Sequence, residues 1–167
     1  DIRAYISQVK INDEPVDFDY FLLSPDFHTG WGKYEGQYEW KWDEVQGVAS
    51  GDKAELYEQG FQRAFSVQFY IKEKGTYLWQ RFSKAEGRAF DQVMTDAWSS
   101  KEDGKVVCAK YEGSEKITLS GGSKMFVPNL KFEKWVAKPS DFGELVDVAE
   151  ATNNESSNNE DHDGIPF

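Results

Sequence analysis

The sequence predicts a mainly β domain, an OB-fold-like five-stranded Greek-key barrel with one helix, followed by a disordered acidic C-terminal tail. Three observations predict it. Short segments of alternating apolar and polar residues recur between Gly- and Pro-rich turns. A single apolar stripe at helical spacing falls after the third such group and before two more strands. Residues 139–167 then carry eight acids and no Lys or Arg, in a composition too polar to bury a core. The body is therefore 1–138 and the tail 139–167.

In chain order, Ile2 to Ile11 reads as one strand, ended by Asn12-Asp-Glu-Pro15. Phe18 to Leu23 is a short apolar run, and Ser24-Pro25-Asp26 a turn. Between Thr29 and Trp42 stand three Gly and five aromatics. Tyr38, Trp40 and Trp42 alternate with Gln37, Glu39 and Lys41, so a strand would place the three rings on one face. The glycines before them suggest a mobile loop where backbone can approach a ligand. Residues 43–62 read as a connection with a short helical turn from Asp52 to Tyr57.

Ala64 to Lys72 and Thr76 to Ser83 form a hairpin about Glu73-Lys74-Gly75. Phe65, Val67, Phe69 and Ile71 share its core face; Ser66, Gln68, Tyr70 and Lys72 share the other. On the second strand Tyr77, Trp79 and Arg81 point one way. If register sets them beside Tyr70 and Lys72, an aromatic and basic platform results. Arg88 to Trp98 reads as a helix, with Phe90, Val93, Met94, Ala97 and Trp98 as its buried stripe. Lys105 to Tyr111 and Ile117 to Leu119 read as strands. Lys124 to Trp135 reads as a bent edge strand, because Pro128 cannot donate to a ladder.

The formal net charge of −11 argues at first against a polyanionic partner, but the charge is unevenly placed. Residues 1–61 hold 5 basic and 13 acidic residues, whereas 62–138 hold 14 basic and 9 acidic ones. A basic second half with an acidic, detachable tail fits a nucleic-acid-binding protein. Aromatics make up 16% of the chain, more than a core of this size needs. Sequence-tolerant binding of single strands requires a cationic track for the backbone and aromatic faces for unstacked bases. The candidate stackers are Trp40, Trp42, Tyr70, Tyr77 and Trp79. The candidate phosphate partners are Lys72, Lys74, Arg81, Lys124 and Lys131.

Catalysis is not expected. His28 has no second His at metal spacing, and His162 sits among tail acids. Asp17 and Asp19 lack a third carboxylate in pattern, and no phosphate-cradling or nucleophile-elbow motif occurs. No metal or other cofactor is implied. The one cysteine, Cys108, lies in the apolar run Val106-Val-Cys-Ala and reads as a buried small side chain. No apolar segment approaches membrane-spanning length, and Asp1-Ile-Arg-Ala has no signal-peptide pattern, so a cytoplasmic setting is expected. The competing class is an acidic protein-interaction module, a DNA mimic or an inhibitor of a nucleic-acid enzyme. It would bury the aromatics of 38–42 and 70–81 beneath an acidic surface.

The chain closes in Asn158-Asn-Glu-Asp-His-Asp-Gly-Ile-Pro-Phe167. An acidic run that ends in an apolar tip suits a short motif: the tip enters a pocket and the acids meet a basic rim. These ten residues resemble the C-terminal tip of bacterial single-stranded DNA-binding proteins, with Gly164 where that family has an acid. The layout of the body is similar to that of a phage-encoded analogue. The resemblance implies protection of single-stranded DNA in replication, recombination and repair. It implies recruitment of replication and repair proteins through Asp161, Asp163, Ile165, Pro166 and Phe167, and a homo-oligomer in the host cytoplasm. A tethered acidic tail would also compete with DNA for a basic groove.

Overall fold

The computed structural model describes the backbone of residues 2–5, 8–11 and 14–15 and the chain from 19 to 144, the Phe126 side chain excepted. The tip residues Asp161, Asp163, Ile165, Pro166 and Phe167 lie outside the described residues, as does the tail from 145 onward.

The first strands form a small meander of β1 (Ile2–Tyr5), β2 (Gln8–Ile11) and β3 (Glu14–Pro15). The single strand expected over Ile2 to Ile11 is thus a hairpin. Ile2 pairs with Ile11 and Tyr5 with Gln8, which satisfies the backbone within ten residues instead of leaving it to a distant partner.

Seven strands make the main sheet, all of its pairs antiparallel. They are β4 (Tyr20–Leu23), β5 (His28–Tyr34), β6 (Tyr38–Trp42), β7 (Gln62–Ile71), β8 (Gly75–Arg81), β9 (Lys105–Thr118) and β10 (Lys124–Ala137). The order is β10-β9-β4-β7-β5-β6, with β8 on the other side of β7. β4 and β5 lie end to end along one edge of β7, since Leu23 meets Phe69 and His28 meets Ser66. They act as one strand bent at 24–27. Its outer edge is taken by β9 along β4 and by β6 along β5. Among the described residues no ladder joins β6, β8 or β10 into a closed barrel, and the sheet is open.

Both described helices cover one face. Helix α2 (Lys84–Trp98) starts four residues before the expected Arg88, because the Ser83 hydroxyl accepts from the Glu86 N–H and caps it. Phe90, Val93, Met94 and Ala97 of its stripe are buried against Phe65, Val67, Phe69, Phe21 and Trp135. Trp98, the last member, stays partly exposed at the helix end. The Trp135 indole N–H donates to the Ala97 carbonyl at 2.9 Å, which ties β10 to the helix terminus. Under β5 and β6 the same face is covered by α1 (Lys53–Glu58), capped by Asp52, through Trp31, Leu56 and Phe61.

Two further departures follow from local chemistry. The strands expected at 105–111 and 117–119 are one, β9, which changes register against β10 around Gly113. Gly113 has φ 85°, so it absorbs the extra residue of a bulge without strain. The folded chain also runs past Lys138. Residues 139–143 double back as a strap, and Phe142 is buried on Tyr70, Val106 and Leu22.

Candidate nucleic-acid interface

The front face of the sheet, which neither described helix covers, carries a row of aromatic rings. Alternation in β6 puts Tyr38, Trp40 and Trp42 on it. Trp40 and Trp42 are stacked at 5.3 Å and 7°, and Tyr38 and Trp40 at 5.8 Å and 12°. Tyr34 extends the row at 4.9 Å from Tyr38, and His28 ends it at 6.4 Å from Trp42. Phe82 closes in from beneath, 5.6 Å from Trp40. Trp42 keeps 37% of its surface in solvent.

Gly30 and Gly32 build the seat for these rings. They face Trp42 and Trp40 across the β5–β6 ladder. A Cβ on Gly30 would stand 2.7 Å from the Trp42 ring. One on Gly32 would stand 2.7 Å from the Trp40 ring and 2.8 Å from Phe82. The expected mobile loop is therefore a regular strand, and its glycines leave room for indoles, not for a ligand.

Behind the row, β6 is pinned by charge. Thr29 donates to the Asp43 carboxylate at 2.6 Å, the Ser50 N–H at 3.0 Å, and Arg63 grips it with two nitrogens at 2.6 and 3.2 Å. Burial disfavours the charged form of Asp43, but the bonds from Arg63, Thr29 and Ser50 outweigh it and hold the carboxyl below its usual range. The Arg63 guanidinium lies 4.7 Å over Trp31, while Lys33 and Lys41 lie over Phe61.

The expected hairpin platform does not form. Register pairs Val67 with Trp79, Phe69 with Tyr77 and Phe65 with Arg81, so these three of β8 turn to the covered face. Trp79 is 2% exposed and donates to Glu86 at 3.2 Å. Tyr77 is buried and donates to the Lys74 carbonyl, and Arg81 pairs with buried Glu86 at 2.9 Å. Burial raises the Glu86 carboxyl, opposed by Arg81 and Trp79. Tyr77, Trp79 and Arg81 are thus core residues, corrected by the register of one hairpin. Tyr70 does face the front, but it lies under Phe142.

The remaining candidates divide. Lys72 and Lys74 are exposed at the turn after β7, and Lys124 is exposed at the far end of the β9–β10 arm. Lys131 belongs to the front face, opposite Lys110, which in turn meets Tyr20. The next row across the sheet runs Lys134, Cys108, Leu22, Tyr70, Thr76. Burial pushes the Cys108 thiol up, with Lys134 drawing it partly back. Lys110 and Lys131 on the open side have acids beside them, Glu112 at 4.0 Å and Glu133 at 3.9 Å, whereas both helices lie on the other side.

Sequence reasoning missed Tyr34, Phe82, Lys110 and Lys134, and the role of the glycines. The readable signal was Gly30-x-Gly32 followed by Trp40-x-Trp42, small residues spaced to meet large ones. Among the described residues no group of three His, Cys, Asp or Glu gathers as a metal set, and no helix is long and apolar enough to cross a membrane. No protein-family model, curated protein or solved structure matches the chain.

Proposed function

We propose that the chain is a sequence-tolerant single-stranded DNA-binding protein, and that the strand lies on the open face of the sheet. The observation that carries this reading is the stacked row Tyr38, Trp40, Trp42 on an edge strand, half-buried except for exposed Trp42 and braced from behind. A β-sheet with such a row offers π-surface to any base. Lys131, Lys134 and Lys110 at the other side of the same face supply phosphate contacts, with Lys72 and Lys74 at its border. In this reading the fold is an OB-type plan opened at one seam: strands interrupted by the short α1, then α2, then two strands. The tail from 145 supports it by its resemblance to the partner-recruiting tip. Asp161, Asp163, Ile165, Pro166 and Phe167 would recruit replication, recombination or repair proteins in the cytoplasm of a host cell. The same tail, tethered to the sheet, would compete with DNA.

The test is Trp fluorescence during titration with oligo-dT at several salt concentrations. Quenching that weakens as salt rises, and that Trp40→Ala and Trp42→Ala remove, is the expected result. Each substitution should weaken binding by roughly 1–3 kcal/mol. Absence of quenching and of retention at low salt would favour the interaction-module reading instead.

A further inference from the structure

We propose that Tyr70 is a further base-stacking position on the front face, covered in the free protein by the strap 139–143 and uncovered when a longer strand binds. This rests on the single-strand reading above.

The strap makes on Tyr70 the two contacts that a nucleotide would make. The Phe142 ring lies nearly parallel to the Tyr70 ring, at 15° and 5.4 Å, where a base would stack. The Asp141 carboxylate accepts from the Tyr70 hydroxyl at 3.0 and 3.2 Å, where a phosphate oxygen would accept. Exchange is therefore like for like: ring for ring and anion for anion. Beyond Tyr70 the strap is held by the packing of Phe142 on Val106 and Leu22 and by two contacts to Thr76. The Gly143 N–H donates to the Thr76 hydroxyl at 2.9 Å, and that hydroxyl reaches the Asp141 carbonyl at 3.5 Å. Lys138 lies 5.8 Å over Phe142 and would remain beside an incoming phosphate.

Position supports the same assignment. Tyr70 shares its cross-sheet row with Lys134, and the next row holds Lys110 and Lys131. Along β7 it lies six residues from Ala64, which faces Gly30 beneath the Trp42 ring. At about 3.3 Å per residue the two positions are roughly 20 Å apart on one face. Ser66, Gln68 and Gln80, with exposed Leu78, pave the interval. A short strand would meet the aromatic row alone; a longer one would arrive at Tyr70 and the lysines.

Hydrogen exchange of the full chain, read by mass spectrometry, tests this. The ligands are a short oligo-dT near the lower end of the roughly 4–16 nucleotides that one such module covers, and one beyond the upper end. The long oligonucleotide should slow exchange at 38–42 and accelerate it at 139–144; the short one should slow 38–42 only. Phe142→Ala, and more mildly Asp141→Asn, should tighten the long oligonucleotide several-fold and leave the short one unchanged. Slowed exchange at 38–42 with unchanged or slower exchange at 139–144 would overturn the inference and spare the single-strand reading. No protection at 38–42 by either ligand would overturn both.

Discussion

At the scale of single residues, Gly32 decides whether the aromatic row can assemble. Its missing Cβ leaves the space where the Trp40 and Phe82 rings meet. Gly32→Val should displace Trp40 and weaken oligo-dT binding about as much as Trp40→Ala does, by roughly 1–3 kcal/mol. Circular dichroism should still report the folded sheet. Asp43 is the second such residue, with a side chain fully enclosed beside Arg63. Its folded pKa lies below the unfolded value, so the stability it adds is present above about pH 4 and is lost as pH falls through the lower, folded value. Asp43→Asn should flatten the acid limb of the stability curve. Urea titrations across that pH range would show it, together with a loss of about 1–3 kcal/mol near neutrality from the weakened grip on Arg63.

At the scale of elements, helix α2 supplies the cover that leaves the opposite face free. Phe90 stacks on Phe65 at 4.4 Å and 2°, in the middle of the main core. Phe90→Ala should cost about 3–5 kcal/mol, measured by thermal or urea unfolding. The helix was legible because its stripe has one period and Ser83 to Glu86 carry a capping pattern. The β7–β8 hairpin was legible for the same reason, as were Trp40 and Trp42 on one face. What was not legible depends on register between distant strands. Nothing local reveals that Trp79 opposes Val67 instead of Tyr70, so a core pair looked like a platform. Residues 139–143 looked like tail because Pro139, Ser140, Asp141 and Gly143 are turn formers. Long-range contacts, of Phe142 and Asp141 with Tyr70 and of Gly143 with Thr76, place them in the body. The glycines of β5 misled because their partners are eight and twelve residues away, across a turn.

At the scale of the whole molecule, the net charge of −11 opposes the attraction that Lys110, Lys131 and Lys134 would exert on a phosphate backbone. Lys131→Ala and Lys134→Ala should weaken binding evenly across sequences, and each should lower the salt slope by about one. A salt series with the single and double variants measures this, and Lys124→Ala, at the far end of the arm, should change the slope least.

The bent strand formed by β4 and β5 sets the order in which this chain can acquire its shape. Leu23 is fully buried, and it touches Phe69 on one side and Val107 on the other. The first strand of the main sheet to leave the ribosome is therefore the last to be enclosed. It has to wait for β9, so its apolar side chains stay exposed through most of synthesis. The hairpins β7–β8 and β9–β10 close locally and early, whereas the central ladder closes over long sequence separation and slowly. Chains halted before residue 105 should thus be protease-sensitive at 20–23, and chains extended past 137 should not.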